Sequence, residues 1–437
     1  MNEFKGMRRI VTLLQESVFV RNSIVLFSGT MVMNVLNYGF HFSLGRLVDP
    51  EVYGAVQSLI ALLAIVSVPA AALGMVATKY GAIAKARDDR AFGWDLFSYL
   101  NKRIIRYGWP LVVVGLLLTP LVQSFLQIDD VLAVSLLWIL AALTFFSSAS
   151  VGILSGWQQF GSVNRANITS SSVKILFGVS LAWLGFGLDG IIFGIVLAGI
   201  IGYVVSVRGL RFLKPREETV VGAQTEKEKT LFDFSSVRGY VATAFMGTLG
   251  LVVLGNVDIV LAKHSLSPEM AGAYGALVVV SKVIFFVTGV IASVLFTMSS
   301  ESVEKNKEQP QNFSVFWMAL ALTTFISAVA VAGYFLMPHF VMSVFFGDKY
   351  LAVAPMLGWF GLVAGLYAVV NLILQQLLSM QVTLAAQWLL GIVAVESLAI
   401  FFFGSTIFSI IIIVIGTQIV ALLSGLFFIW KTCKIQR

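Results

Sequence analysis

Apolar residues in this chain fill long uninterrupted runs rather than alternating with polar ones. Twelve such runs stand out, at about 22–44, 55–78, 108–126, 131–153, 168–186, 188–207, 239–262, 273–298, 313–337, 351–378, 382–403 and 405–430. As helices rising 1.5 Å per residue, runs of this length cross a bilayer hydrocarbon core of about 30 Å. The pattern predicts an all-α polytopic membrane protein with about 12 transmembrane helices, six to each half. The predicted boundaries are an N-terminal interfacial helix at 1–21, a first six-helix bundle at 22–207, a cytoplasmic linker at 208–238, a second bundle at 239–430 and a cytoplasmic tail at 431–437. The first 21 residues mix charge with apolar positions and lack the short apolar core and small-residue cleavage site of a signal peptide. The linker carries Lys214-Pro215-Arg216-Glu217-Glu218 and reads as a flexible polar connection.

The polar punctuation between runs repeats. Gly45-Arg46-Leu47-Val48-Asp49-Pro50-Glu51-Val52-Tyr53-Gly54-Ala55 is echoed by Lys263-His264-Ser265-Leu266-Ser267-Pro268-Glu269 and Ala273-Tyr274-Gly275-Ala276, with Pro50 and Pro268 218 residues apart in a chain of 437. Phe186-Gly187 and Phe403-Gly404 break their runs at a separation of 217. Two echoes at nearly one interval indicate a duplicated unit, an arrangement that in transporters places the binding site between the halves. Pro69, inside the second run, predicts a kink.

Composition and charge sharpen this picture. Charged residues make up 12% of the chain, hydrophobic residues 58%, and the mean hydropathy is +0.93. Soluble domains carry about 25% charged residues, so a large soluble catalytic domain is excluded. The net charge of +7 does not point to nucleic acid, because the basic residues flank apolar spans instead of forming one basic face. Twenty-four lysines and arginines fall in one alternating set of connections, and only Arg46, Lys263 and Lys349 in the other. Basic residues accumulate in cytoplasmic loops, which places both termini in the cytoplasm of a multi-pass protein of the cell membrane and both Pro-Glu turns outside. The single cysteine, Cys433, allows no disulfide or cysteine-cluster metal site.

Four charges lie within spans: Lys174, Asp258, Lys282 and Glu396. A charge at the bilayer centre costs about 2.5–3.5 kcal/mol on the mildest scale, so each is a functional candidate. At helical spacing Lys174 shares a face with Asn167, Ser170, Ser171, Gly178, Ala182 and Gly185, and Lys282 with Gly289, Ser293 and Thr297. In the first span Thr30, Asn34, Asn37, Tyr38, His41 and Gly45 form a third polar face leading into Arg46. Small and hydroxylated residues alone are also what close helix packing requires. The lysines leave two arrangements open: a wet cationic cavity, or buried ion pairs with Asp258 and Glu396. Zincin, P-loop and Gly-x-Ser-x-Gly motifs are absent, and His41, His264 and His339 are too scattered to make a metal site.

The turn Gly45 to Gly54, together with Asn256-Val257-Asp258-Ile259-Val260-Leu261 and the second Pro-Glu turn, resembles the polysaccharide transporter, or O-antigen flippase, family of the multidrug/oligosaccharidyl-lipid/polysaccharide exporter superfamily. The resemblance extends over nearly the whole chain in span count and halves. It implies two six-helix bundles around a central cavity, and alternating access that carries an undecaprenyl-pyrophosphate-type oligosaccharide from the cytoplasmic to the outer leaflet. Lys174, Lys282 and Arg46 would then meet the anionic linker, with His41, Asn34 and Asn37 beside them. Asp258 and Glu396 would couple transport to H+ or Na+, with no cofactor and no metal. Expected partners are the lipid-linked substrate, membrane lipid and other polysaccharide-assembly proteins. Two other functions stay open: a cation-coupled multidrug antiporter of the same superfamily, and a membrane enzyme of polysaccharide assembly acting through Asp129-Asp130, Asp189 or Asp348.

Overall fold

The computed structural model describes residues 18–214, 235–285, 288–289, 314–380 and 382–435. Residues 1–17 of the interfacial helix predicted at 1–21, most of the predicted linker, and Ser293 and Thr297 lie outside them. The first half consists of α1 (Val18–Leu47), α2 (Pro50–Val66), α3 (Val68–Ala86), α4 (Arg90–Leu126), α5 (Val131–Gly156), α6 (Phe160–Val173), a π-helix (Lys174–Val179), α7 (Ser180–Trp183) and α8 (Gly187–Gly209). The second half consists of α9 (Ser235–Leu254), α10 (Val257–Ser265), α11 (Pro268–Ser281), α12 (Ser314–Leu336), α13 (Pro338–Phe346), a 3-10 segment (Asp348–Met356), α14 (Leu357–Ser379), α15 (Thr383–Phe403) and α16 (Ile407–Ile435).

Among the described residues nine helices are long and apolar enough to cross a membrane, or ten if the bent pair α2–α3 is one span. That is short of the twelve expected from the sequence. Asn34, Asn37 and His41 in α1, and the hydroxyl and amide run of α6, dilute the hydropathy of two expected spans. Between the second and third apolar runs the chain is largely helical: helix continues to Ala86 and resumes at Arg90, and the turn is held where the Asp89 side chain accepts from the Phe92 amide at 2.9 Å. Lys79 lies inside α3, and Lys102, Arg103 and Arg106 lie inside α4, so the charges mark where the apolar spans stop and not where the helices end. The α2–α3 span bends by 47° at Ser67, with Pro69 in the first turn of the second piece, where its missing N–H breaks no bond.

The repeated turns meet. Pro50 and Pro268 each open a helix, and a Cβ on Gly54 would stand 2.7 Å from the amide nitrogen of Gly272, while one on Gly272 would collide with the Pro50 carbonyl. Gly54 and Gly272 stand at the same interval as the two prolines, so the duplicated elements pack on each other through equivalent residues. Around them a core drawn from both halves joins Phe40, Tyr53 and Val56 to Tyr274, Leu277, Phe346 and Tyr350. The Tyr53 ring meets Phe346 edge-on at 5.4 Å and Tyr350 at 6.3 Å.

Polar bridges reinforce this turn face. Lys349 Nζ donates to the Val48 carbonyl at 3.0 Å and lies 3.8 Å from Asp49 Oδ1. Gln127 donates to the His264 carbonyl at 3.0 Å, and the His264 ring stacks on Phe125 at 4.2 Å. The remaining core clusters each belong to one half: Ala77, Leu96, Ile153 and Leu213 in the first, and Phe316, Leu372, Leu254 and Val370 in the second. Cohesion between halves is therefore concentrated on the turn face, opposite the helix ends that lead to the termini.

Candidate functional site

Breaks in the helices build the site. The span formed by α9 and α10 is interrupted at Gly255 and Asn256, where the backbone leaves the helical region. A side chain at Gly255 would strike the Tyr367 hydroxyl at 2.8 Å, so only glycine lets α14 approach this close. Lys282, the residue that ends α11, donates to the freed Gly255 carbonyl at 2.7 Å and lies 3.4 Å from Asn256 Oδ1. Irregular backbone within a bilayer persists where it lines a cavity, and its carbonyls then serve as ligands.

Lys174 likewise stands at an irregularity, as the first residue of the six-residue π-helix. Such wide turns are rare and recur at functional positions. Its ammonium donates to Asn37 Oδ1 at 2.5 Å and sits 4.7 Å above the Phe40 ring, both on α1. Asn37, Tyr38, His41, Gln57, Asn256 and Lys282 line one cavity of about 230 Å3. Gln57 donates to the Tyr53 hydroxyl at 2.7 Å and lies 2.8 Å from His41 Nδ1, which orients its amide at the wall. The cavity thus takes its polar walls from α1 and α2 of one half and from α11 and the Gly255 break of the other.

Of the two arrangements left open by the sequence, ion pairs between these lysines and the buried carboxylates are not the one seen. Tyr274 donates to Asp258 Oδ2 at 2.7 Å, and Thr417 donates to Glu396 Oε2 at 2.7 Å. Asp258 Oδ1 and Glu396 Oε1 have no hydrogen-bond partner among the described residues, although Glu396 is fully buried. Arg46 is also placed differently from expectation. It does not line the lysine cavity but reaches across to α13, where Nη2 donates to the carbonyls of Ser343 and Val344. The negative end of a short helix is a favourable place for a cation. Asn34, about a turn from the cavity wall, is half-buried and does not line it.

The predicted stripe is corrected in part. Gly178 keeps the face of Lys174, both packing on Phe40, whereas Gly185 falls beyond the end of α7 in a turn with φ +89° and does not continue the stripe. Gln57 and Asn256 were missed as site residues. A visible signal existed for Gln57, an amide within an apolar run one turn from Tyr53. Among the acids expected outside, Asp129 and Asp130 are exposed, and Asp189 lies in the first turn of α8. Partial burial and the carboxylates of Asp189 and Asp129 push the Asp130 carboxyl up from its ordinary value.

The profile of a family described as polysaccharide biosynthesis proteins matches residues 43–355. No curated protein matches the sequence significantly. Among solved structures, the chain is similar to an inward-facing multidrug resistance MATE family transporter of the MOP superfamily, with TM-score 0.66 and 15% identity over 94% of this chain and 99% of that one. An outward-facing structure of such a transporter gives TM-score 0.59 and 13% identity over 95% of each chain. A MATE protein in complex with MaL6 gives 0.61 and 15%, covering 95% of this chain and 96% of that one. At these identities the likeness is one of fold.

Proposed function

Since the chain belongs to the polysaccharide biosynthesis protein family, we propose that it is a flippase, carrying a lipid-linked oligosaccharide from the cytoplasmic to the outer leaflet by alternating access. The observation that carries this reading is that Lys282 lines a cavity between the halves while Lys174, behind the opposite wall, holds the lining residue Asn37, and that neither ammonium is in an ion pair with a carboxylate. An ammonium has three donors. Lys174 spends one on Asn37, and Lys282 is held by a carbonyl and an amide oxygen, so N–H groups remain for an anionic pyrophosphate linker. Asn37, His41 and Gln57 add neutral polar contacts suited to sugar hydroxyls, while the lipid tail stays in the bilayer. No bond is made or broken in this scheme.

Because the sites on α1 and α11 lie in different halves, an anion bound between them is held until the halves rearrange. The turn face is the one closed in this structure, so the scheme loads substrate from the face of the termini, which the distribution of basic residues assigns to the cytoplasm. A second reading, cation-coupled drug antiport, is favoured by the unpartnered oxygens of Asp258 and Glu396.

The test is complementation of a flippase-null strain, with membrane protein quantified beside surface glycan. Lys174→Ala and Lys282→Ala are each expected to reduce glycan display at least tenfold with normal protein levels, and Lys→Arg to retain part of it because the charge survives. Normal display by both alanine variants would reject the cationic-cavity mechanism. Loss of folded protein, rescued by removing Asp258 or Glu396 as well, would instead indicate structural ion pairs.

A further inference from the structure

We propose that Arg46, Ser43, Ser180 and Trp183 form a binding site for the phosphodiester of a membrane phospholipid in the leaflet on the turn face. These residues line a cavity of about 420 Å3, with Leu47 and Val179 as its apolar walls. It is distinct from the lysine cavity. Arg46 lies nine residues beyond Asn37 on α1, about 13 Å along the helix, and Phe40 packed on Gly178 closes the seam between α1 and the π-helix.

The bridge to α13 occupies only Nη2 of Arg46. Its Nε and Nη1, and the hydroxyls of Ser43 and Ser180, have no hydrogen-bond partner among the described residues, and Arg46 and Ser180 are exposed. A guanidinium with spare N–H groups at a lipid-facing position requires an acceptor and a counter-charge, and phosphate oxygens supply both in the geometry of the planar fork. That this side faces lipid follows from its neighbours: Leu176 is 61% exposed, Leu184 61% and Phe186 61%.

The depth agrees. Arg46 is in the last turn of α1 and Trp183 is the last residue of α7, so both sit at span ends, where tryptophan marks the headgroup level. Trp183, 73% exposed, offers its indole to the headgroup region, while Leu47 and Val179 can take the start of an acyl chain. The one nearby acid with a described partner, Asp49, lies 3.8 Å from Lys349, which offsets its repulsion of an anion.

The experiment is titration of the purified full-length protein in an uncharged detergent with dioctanoyl-phosphatidylglycerol, with adducts counted by native mass spectrometry. The wild type is expected to take up one lipid saturably, and Arg46→Gln to weaken it at least fivefold. Since Arg46→Gln also removes the bridge to α13, Ser180→Leu, which fills the cavity and leaves that bridge intact, is the second variant and should weaken uptake equally. Lys174→Ala should leave it unchanged. Wild-type affinity in either folded cavity variant overturns the proposal. So does an equal loss in Lys174→Ala, which would place the lipid phosphate in the central cavity, or full competition by inorganic pyrophosphate, which would make this a free-anion site. The inference does not depend on the oligosaccharide reading.

Discussion

At the scale of single residues, the cavity shows how a membrane interior keeps charge. Lys174 and Lys282 are held by an amide oxygen, an aromatic face and a backbone carbonyl, partners that steady an ammonium without neutralising it. The carboxylates follow the opposite logic, each with one oxygen bonded to a hydroxyl and the other unpaired. A buried polar atom without a partner costs about 1–3 kcal/mol, and protonation of the carboxyl or arrival of a cation relieves it. Glu396 is the better candidate for this exchange, being fully buried, with Thr417 as its bonded neighbour. Glu396→Gln is expected to leave the protein folded and to flatten the pH dependence of export, read as glycan display across external pH. An unchanged pH profile at normal display would remove Glu396 from the coupling mechanism.

At the scale of elements, the α2–α11 contact is the most constrained in the fold, because two glycines related by the internal repeat bring two backbones together. A methyl group on Gly272 has nowhere to go except against the Pro50 carbonyl. Overpacking of this kind costs about 1–3 kcal/mol. The strain falls on the closed turn face and is relieved when the halves part there, so Gly272→Ala should shift the population toward opening on that side. Ala276 lies fully buried one turn beyond. A cysteine placed there should react with an impermeant maleimide on the order of tenfold faster in Gly272→Ala than in the parent, since about 1.4 kcal/mol corresponds to a factor of ten. Equal rates in two folded proteins would show that this contact does not hold the turn face shut.

For the whole molecule, one core spanning both halves on the turn face, and separate cores elsewhere, describe a protein able to rock about a fixed central site. The asymmetry of basic residues predicts its orientation in the membrane. In a background with Cys433 replaced, single cysteines at Glu51, Asp130 and Asp348 should label from outside intact cells with an impermeant maleimide. One at Asp88, in the turn between α3 and α4, should label only after permeabilisation. Outside labelling at Asp88 would invert the topology and reverse the direction of transport proposed above. Thr225, on the same expected side, lies outside the described residues and offers a further position for the assay.

The sequence alone determined the all-helical membrane class, the bend at Pro69 and the repeat, because run length, proline chemistry and the echo of Pro50-Glu51 in Pro268-Glu269 are local properties of the chain. It also singled out Lys174 and Lys282, since any charge in a long apolar run is conspicuous. What surrounds each charge was decided only by the tertiary structure. Whether Lys282 meets Asp258 or a carbonyl depends on the break at Gly255, and that break on how closely α14 approaches. The polar stripe on Lys174 was read as running on to Gly185, which instead falls in a turn beyond the end of α7. Arg46 looked like the continuation of the polar face of α1, yet the position of α13, nearly 300 residues away in sequence, draws its guanidinium to the turn face. Hydropathy is summed along one segment, whereas the partner of a buried charge is fixed by segments brought together in folding, and no local pattern encodes that choice.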